Sequence, residues 1–206
     1  MKKILFVLIA FLFIACGGNS SKDKTENTTG GIDPALEKRL AEYMKLNEEL
    51  DFNRLMDYIY PKVFDLAPRE DMVEAMEDFF KSEEIKVKLE DLKIDKVHPV
   101  FTVKDGSYAK IDYSMVVLFD MSSEGDSMEK KEQNDLIVKS MAEKYGEGNV
   151  GIDKETGMIR VRMGTPMIAI KDEIVKDWSF ISYKKDDPFL DKILSKEVQD
   201  KLATYK

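Results

Sequence analysis

Three side chains in this 206-residue sequence could take part in acid–base chemistry, and a fourth carries the only thiol. Asp57 and Tyr58 stand side by side in the segment "NRLMDYIYP", where a carboxylate with a raised pKa could take a proton from a substrate. His98 is the only histidine, and an imidazole can act as a general base near neutral pH. Cys16 is the only cysteine, so it cannot form a disulfide within the chain.

Each acid–base candidate also has a structural interpretation. Asp57 can point to solvent, while Tyr58 can fill the core with its hydroxyl at the rim. His98 stands beside Pro99 in a predicted strand, and such a position fits a strand or edge histidine. The sequence therefore leaves Asp57, Tyr58 and His98 as candidates and assigns no catalytic residue.

Motifs for metals and cofactors do not occur in the sequence. One histidine and one cysteine cannot assemble a zinc site. In "DMSSEGDSMEKK", Asp120, Ser122 and Glu124 take the first, third and fifth positions of a calcium loop. Lys131 then stands where the twelfth position requires a glutamate, so the match fails. Because phosphate-binding glycine loops and nucleophile elbows are also absent, we expect no metal and no cofactor.

The composition favours a folded domain with an acidic, well-solvated surface. Hydrophobic residues make up 43% and charged residues 35% of the chain, and the formal net charge is −8. Nucleic-acid backbones are bound by clusters of lysine and arginine. The excess of acidic residues therefore argues against nucleic acid as a partner.

An apolar run at the amino terminus ends at Cys16. After "MKK", residues 4–15 are twelve consecutive apolar residues. A membrane-spanning helix needs about 20, whereas this length suits the hydrophobic region of a secretory signal peptide. The end of the run, "FIAC", resembles the lipobox of bacterial lipoproteins, with Phe13 where leucine is usual. The resemblance implies that Cys16 becomes the first mature residue and is acylated; the alternatives are a buried cysteine in a short apolar helix or an uncleaved anchor.

A polar linker follows Cys16. The segment "GGNSSKDKTENTTGG" has too few apolar side chains to form a core and is typical of a flexible tether. We divide the chain into a signal peptide over 1–15, a tether over 16–32 and a folded domain over 33–206. Since two or three acyl chains anchor a protein stably, we expect a lipid-anchored envelope protein, at the outer membrane or periplasmic face in a Gram-negative cell.

The folded domain begins with three predicted helices. Asp33 can cap the first helix, and Pro34 suits its first turn. Apolar residues repeat at helical spacing as far as Leu50. A second apolar stripe ends near Pro61, and a third helix follows Pro68.

The apolar period then changes from that of a helix to that of a strand. Residues 85–104 contain two predicted short strands, with Pro99 favouring an edge or a bulge. Asp105 and Gly106 predict a hairpin, and the next strand alternates cleanly over 108–119.

One further helix is predicted over 132–146, between strands. Its expected inner stripe consists of Leu136, Ile137, Ser140, Met141 and Tyr145. Beyond it, Arg160 and Arg162 are expected to face away from the apolar side, as Asp112 does, and to form cross-strand ion pairs. Helices first and antiparallel strands afterwards define an α+β fold, in which N-terminal helices pack on a curved antiparallel sheet in a single domain.

Two segments resemble the nuclear transport factor 2-like superfamily. "ELDFNRLMDYIYPKVFDL" is similar to the second helix of that fold, and "DEIVKDWSFISYKKDDPFLDKILSKEVQDKL" to its last strand and tail. The resemblance covers most of 33–206 and makes the helix over 132–146 an insertion. It implies a cone-like sheet around helices, with a pocket at the open end near Asp57, Tyr58 and Tyr60. Members include isomerases, dehydratases, polyketide cyclases and many non-catalytic domains, and they often pair through the sheet, which leaves a homodimer open.

Three functions remain open from the sequence. The leading hypothesis is a lipid-anchored cell-envelope protein whose domain binds a small apolar ligand or a partner protein without catalysis. The second is an isomerase- or dehydratase-type enzyme that uses an acidic residue in the pocket. The third is an accessory subunit of an envelope complex that docks through its sheet.

Overall fold

A computed structural model describes residues 32–83, 85–104, 106–121 and 127–205 of the chain. Within these ranges the helices are α1 Pro34–Glu49, α2 Phe52–Leu55, α3 Arg69–Phe80, α4 Ser127–Tyr145, α5 Leu190–Ile193 and α6 Lys196–Leu202. The strands in the same ranges are β1 Ile85–Val97, β2 Phe101–Val103, β3 Gly106–Met121, β4 Val150–Ile152, β5 Ile159–Lys171 and β6 Ser179–Ser182.

The described strands form one open antiparallel sheet. Its order is β1-β3-β5-β4, with β2 added to β3 and β6 added to β5. Three helices precede the first strand, and the paired strands run antiparallel. The predicted α+β class, with N-terminal helices followed by an antiparallel sheet, is confirmed.

Helix α1 begins and ends where its sequence signals predict. The Asp33 carboxylate accepts a hydrogen bond from the Ala35 amide at 2.8 Å, and Pro34 is the first helical residue. Leu50 ends the helix in the left-handed conformation, with φ of 54°. The inner face buries four apolar side chains: Leu36, Leu40, Met44 and Leu46. This face anchors α1 to the core because each turn contributes an apolar side chain.

The segment after α1 turns sharply before it reaches the sheet. Asp51 caps α2 by accepting from the Arg54 amide, and a 3₁₀ turn over Met56–Tyr58 follows directly. Pro61 begins a second 3₁₀ turn, as expected for a residue with a fixed φ and no amide hydrogen. Between these turns the Tyr60 amide donates to the carbonyl of Phe180 at 3.2 Å. The two turns therefore place Tyr60 beside β6.

Strand β1 is longer than predicted. The sequence pattern predicts two short strands over 85–104; two strands are present, but β1 has 13 residues and only β2 is short. The alternation of half-buried and exposed side chains shifts phase at Asp91, which has a φ of 51°. An extra residue in a left-handed conformation is typical of a β-bulge, and it explains why the sequence pattern breaks while the strand continues. Pro99 lies between β1 and β2, outside both strands.

Strands β2 and β3 form a hairpin, as the sequence predicts, while Asp105 itself lies outside the described residues. Phe101 pairs with Tyr108 and Val103 pairs with Gly106. Along β3 the predicted inner face is buried, with Ala109, Ile111, Met115, Val117 and Phe119 each under 9% exposed. The predicted alternation is not kept, because Lys110, Ser114, Val116 and Leu118 on the opposite face are also under 9% exposed.

The described chain divides into two compact units. The first contains residues 74–92 and 114–164, and Val116, Leu118 and Met158 form a buried cluster within it. The second contains residues 32–73, 93–113 and 165–205, and its largest fully buried side chains include Trp178, Tyr60 and Phe180.

Helix α4 belongs to the first unit and buries fewer side chains than predicted. It begins at Ser127, earlier than expected, and ends before Gly146, which has a φ of 91°. The sequence pattern places Leu136 on the inner stripe, but this side chain is 70% exposed. Successive residues of a helix are about 100° apart, so Leu136 cannot share a narrow stripe with the half-buried Ile137, Met141 and Tyr145. Ser140, one turn beyond Leu136, is also exposed.

Candidate functional site

Asp57 lies in the 3₁₀ turn after α2 and forms an exposed ion pair. Its carboxylate is 2.8 Å from the Arg69 guanidinium, and its side chain is 59% exposed. Its carbonyl accepts a hydrogen bond from Arg39 at 2.7 Å. Arg39 also donates to the carbonyl of Trp178 at 3.0 Å. Arg39 on α1 thus links the 3₁₀ turn, through the Asp57 carbonyl, to Trp178 beside β6.

Tyr58 lies beneath the same arginine. The Arg39 guanidinium stands 3.6 Å from the centroid of the Tyr58 ring, a cation–π contact. The Tyr58 hydroxyl donates to the Glu42 carboxylate at 3.1 Å. Burial, and then the bond to Glu42, raise the pKa of Tyr58. The phenol therefore stays protonated and acts as a donor at neutral pH.

His98 is buried, only 3% exposed, and hydrogen-bonded through Nε2 to the Asp112 carboxylate at 2.7 Å. The Lys110 ammonium lies 3.2 Å from the other oxygen of Asp112. Burial lowers the pKa of His98, an effect that the Asp112 carboxylate opposes and Lys110 reinforces. The imidazole is therefore neutral at pH 7, and the charge of Asp112 is balanced by Lys110 rather than by His98.

Tyr205 covers His98 from the carboxy-terminal segment. The two ring centroids are 4.9 Å apart, and the Tyr205 hydroxyl donates to the Pro99 carbonyl at 3.3 Å. The Tyr205 carbonyl accepts from Lys110 Nζ at 3.4 Å. We call His98, Lys110, Asp112 and Tyr205 the histidine cluster. Among the described residues, no hydrogen bond or ion pair joins His98 to Asp57 or Tyr58, so the three acid–base candidates belong to separate local networks.

The cross-strand ion pairs of the arginines involve a residue that the sequence analysis did not name. Arg162 lies 2.7 Å and Arg160 3.9 Å from the Asp91 carboxylate. Asp112 instead pairs with His98 and Lys110. The pairing could not be derived from sequence because it depends on the bulge and on the strand order.

The second unit contains a concave groove, and among its lining residues only Tyr60 was expected from the sequence to lie near a pocket. It has a volume of about 210 Å³. Its lining residues, which define the groove throughout, are Tyr60, Lys62, Val103, Lys104, Gly106, Tyr108, Asp172, Glu173, Ile174, Ile193, Leu194 and Ser195. Four separate chain segments supply these residues: the second 3₁₀ turn, the β2–β3 hairpin, the turn after β5 and the α5–α6 connection.

A short hydrogen bond between Tyr60 and Asp172 fixes one side of the groove. The Tyr60 hydroxyl donates to one carboxylate oxygen of Asp172 at 2.6 Å. The other oxygen accepts from the amides of Ile174 and Val175 at 2.9 and 3.3 Å. Burial and the Asp172 carboxylate raise the pKa of Tyr60. The phenol is therefore a permanent donor, and Asp172 is held in one orientation.

The hairpin forms another side of the groove, and Gly106 is required for its geometry. The Tyr108 ring lies across Gly106, where a Cβ atom would be 2.7 Å from Cε2 of that ring. Phe101 stacks on Tyr108 from the paired strand, with ring centroids 5.7 Å apart. A side chain at position 106 would displace Tyr108, so the glycine lets the aromatic pair close this end.

Charged groups of both signs surround the groove. Lys62 Nζ stands 5.9 Å from the Tyr60 ring centroid, and Lys104 adds a second cation to the lining. Asp172 and Glu173 supply the anions. In the described part of the chain no ion pair joins either lysine to either carboxylate. The charges are therefore available to a ligand as well as to water.

The described ranges hold neither a metal-binding cluster nor a membrane-spanning helix. They contain no group of three or more histidine, cysteine, aspartate or glutamate side chains placed to hold a metal ion. No helix in these ranges combines the length and apolar character needed to cross a membrane. Cys16, the predicted lipidation site, lies outside the described residues.

Comparison with known proteins places the chain in no family. No family model matches the sequence, and no curated protein matches it. A solved structure from Catenulispora acidiphila is similar over 72% of this chain and 83% of its own, with 14% sequence identity and a TM-score of 0.32. Similarity at that level supports no statement about function.

Proposed function

We propose that this protein is lipid-anchored in the bacterial cell envelope and binds a small ligand in the groove without chemistry of its own. The groove carries the proposal. It combines apolar side chains, a fixed phenol–carboxylate pair and charges of both signs in a concavity of about 210 Å³. Small-molecule sites are typically concave and mostly apolar, with a few polar groups that set the orientation of the ligand.

The polar groups of the groove support binding rather than proton transfer. Tyr60 has a raised pKa, and Asp172 already accepts three hydrogen bonds. These three bonds occupy both carboxylate oxygens and hold the side chain in place. The pair is suited to hold a ligand in place.

The amino-terminal sequence supports the anchor. An apolar run of twelve residues before Cys16 and a polar tether after it match a bacterial lipoprotein signal. Acylation of Cys16 would attach the domain to the membrane through lipid alone. The groove would then face the envelope compartment, joined to the membrane through the polar segment that follows Cys16.

A groove-filling substitution tests ligand binding. Ile174 lines the groove and is 45% exposed, so Ile174→Trp adds volume there without disturbing the core. Ile152 on β4 is 42% exposed and lies outside the groove, which makes Ile152→Trp the matched control. In a thermal-shift screen of small metabolites, compounds that raise the Tm of the wild type should act on Ile152→Trp and not on Ile174→Trp. Equal shifts in both variants, or no active compound, would contradict the proposal.

Metabolic labelling tests the anchor. Cells that express the wild-type chain and are fed an alkynyl palmitate should yield a labelled protein in the membrane fraction. Cys16→Ala removes the only thiol and should lose the label. Equal labelling of the two proteins would disprove lipidation at Cys16.

A further inference from the structure

The charges around the groove are arranged on two sides of Tyr60. Lys62 Nζ lies over the face of the ring, 5.9 Å from its centroid. The Asp172 carboxylate lies at the other end of the side chain, 2.6 Å from the hydroxyl. The Tyr60 side chain thus lies between the Lys62 ammonium and the Asp172 carboxylate and keeps them apart. Because Lys62 and Asp172 do not form an ion pair with each other, each can attract an opposite charge on the same ligand.

The groove lining also includes aliphatic side chains. Val103, Ile193 and Leu194 are each under 9% exposed, whereas Ile174 is 45% exposed. Ile174 therefore offers a ligand the main aliphatic contact. Contact with it favours a ligand that carries a short hydrocarbon part beside its charged groups.

The size of the groove limits the ligand. Its volume of about 210 Å³ is below the roughly 300–1,000 Å³ of sites for drug-sized molecules. A ligand enclosed by the groove is therefore smaller than a nucleotide or a lipid chain.

From these three properties we infer that the groove selects a small zwitterion with an aliphatic body, an ammonium group and a carboxylate group, as in an amino acid. The inference rests on the proposed function, since it names the ligand class of the same groove. The ligand carboxylate faces Lys62 and Lys104. The ligand ammonium faces Asp172 and Glu173, and its hydrocarbon contacts Ile174.

Four related compounds test the inference on the full chain in nanodiscs. L-Norleucine and 6-aminohexanoate are isomeric zwitterions that differ in the spacing of their charges. Hexanoate lacks the ammonium group, and pentylamine lacks the carboxylate. In ligand-detected NMR titrations, at least one zwitterion should bind about fivefold or more tightly than both singly charged compounds, the ratio expected for one partly exposed ion pair.

Two charge-removing variants assign the roles of the groove residues. Lys62→Met should reduce zwitterion affinity towards that of pentylamine, because one of the two partners of the carboxylate is lost. Glu173→Gln should reduce it towards that of hexanoate. Lys38→Met and Glu48→Gln remove exposed charges outside the groove and should leave affinity unchanged. An unchanged Tm in each variant confirms that the fold is intact.

The outcomes separate this inference from the function on which it rests. If hexanoate or pentylamine binds as tightly as both zwitterions and Ile174→Trp abolishes that binding, the groove is a ligand site and the zwitterion inference is wrong. If none of the four compounds binds, the inference is wrong. If the metabolite screen also finds no groove-dependent ligand, the proposed function fails with it.

Discussion

At the scale of single residues, His98 is withdrawn from solvent, with 3% of its surface exposed. Its ring contacts Tyr205 on one side and the Asp112 carboxylate at Nε2. Lys110 approaches the same carboxylate and keeps it balanced when the imidazole is neutral. The pKa of His98 is lowered from 6.5, first of all by burial.

This shift gives a pH dependence of stability. Below about pH 6.5 the imidazole of the unfolded chain binds a proton, whereas the folded chain resists it, so the free energy of unfolding should fall as the pH decreases. His98 is the only histidine, so no other imidazole contributes. Urea unfolding followed by Trp178 fluorescence should show a steeper loss between about pH 7.5 and 5.5 for the wild type than for His98→Gln. Parallel curves, or an NMR titration of His98 above pH 6.5, would contradict the assignment.

Tyr60 and Tyr58 allow a matched comparison of buried phenols. Both are under 10% exposed, but Tyr60 donates to Asp172 at 2.6 Å and Tyr58 to Glu42 at 3.1 Å. Tyr60→Phe should lower the free energy of unfolding by about 1–3 kcal/mol, because a hydrogen bond to a charged acceptor is lost. Tyr58→Phe should lower it by less. Urea denaturation of both variants provides the measurement, and a larger loss for Tyr58→Phe would overturn the ranking.

At the scale of elements, the start of α1 serves two purposes. One oxygen of Asp33 caps the helix at the Ala35 amide, and the other accepts from the Trp178 indole at 3.3 Å. These two bonds lower the pKa of Asp33, the cap being the larger cause. The helix end and the residue before β6 are therefore tied together by one carboxylate.

Replacing Asp33 should lower the free energy of unfolding by more than replacing an ordinary capping residue. Asp33→Ala should lower the free energy of unfolding by about 1–2 kcal/mol, whereas Asp33→Asn keeps an acceptor and should lose less. Ser195→Ala, which removes the 3.4 Å cap of α6, is the comparison. Thermal unfolding in parallel gives the ranking; a larger loss for Ser195→Ala would show that the Trp178 contact contributes nothing.

Helix α4 allows a test with a side chain, Leu136, that is expected to contribute little to stability. Leu136 is 70% exposed, so Leu136→Gln should change the free energy of unfolding by no more than about 0.5 kcal/mol. Ile137, the next residue, lies on the half-buried stripe. Its replacement by glutamine should lower the free energy of unfolding by more than about 1 kcal/mol. Chemical denaturation of the two variants checks the difference, and equal losses would restore the stripe predicted from the sequence.

Local signals in the sequence predicted where α1 begins and where the hairpin forms, but they did not predict which residues of distant elements come into contact. Asp33, Pro34 and Gly106 determined the start of α1 and the hairpin because capping and turn geometry depend on neighbouring residues. The length of β1 was missed because the bulge at Asp91 breaks the alternation. The partner of His98 and the lining of the groove depend on strand order and on four distant segments, which periodicity does not encode.

At the scale of the whole molecule, the two compact units share their longest strands. The division falls within β1, within β3 and within β5, so three continuous strands have residues in both units. The single tryptophan, Trp178, belongs to the second unit, and Met158 belongs to the buried cluster of the first. Trp178 fluorescence therefore reports on the second unit, while a substitution at Met158 perturbs the first.

Continuous strands should make unfolding cooperative. Met158→Ala removes a side chain that is 7% exposed and should cost about 2–4 kcal/mol. If β3 and β5 transmit the loss, the urea midpoint reported by Trp178 fluorescence should fall together with that reported by far-UV circular dichroism. A circular dichroism transition that shifts while the fluorescence midpoint stays in place would show that the units unfold independently.

The contact of Tyr205 with Pro99 spans 106 positions of sequence, and this separation sets an order of events during folding. Contacts between distant residues require the closure of a long loop and form more slowly than the hairpin between β2 and β3. We therefore expect His98, whose amide donates to the Lys110 carbonyl of β3, to be exposed to water until Tyr205 packs against it. The imidazole of His98 is accessible in the partly folded chain and buried in the folded protein. The loss of its chemical reactivity therefore reports when the carboxy-terminal segment packs in the last stage of folding.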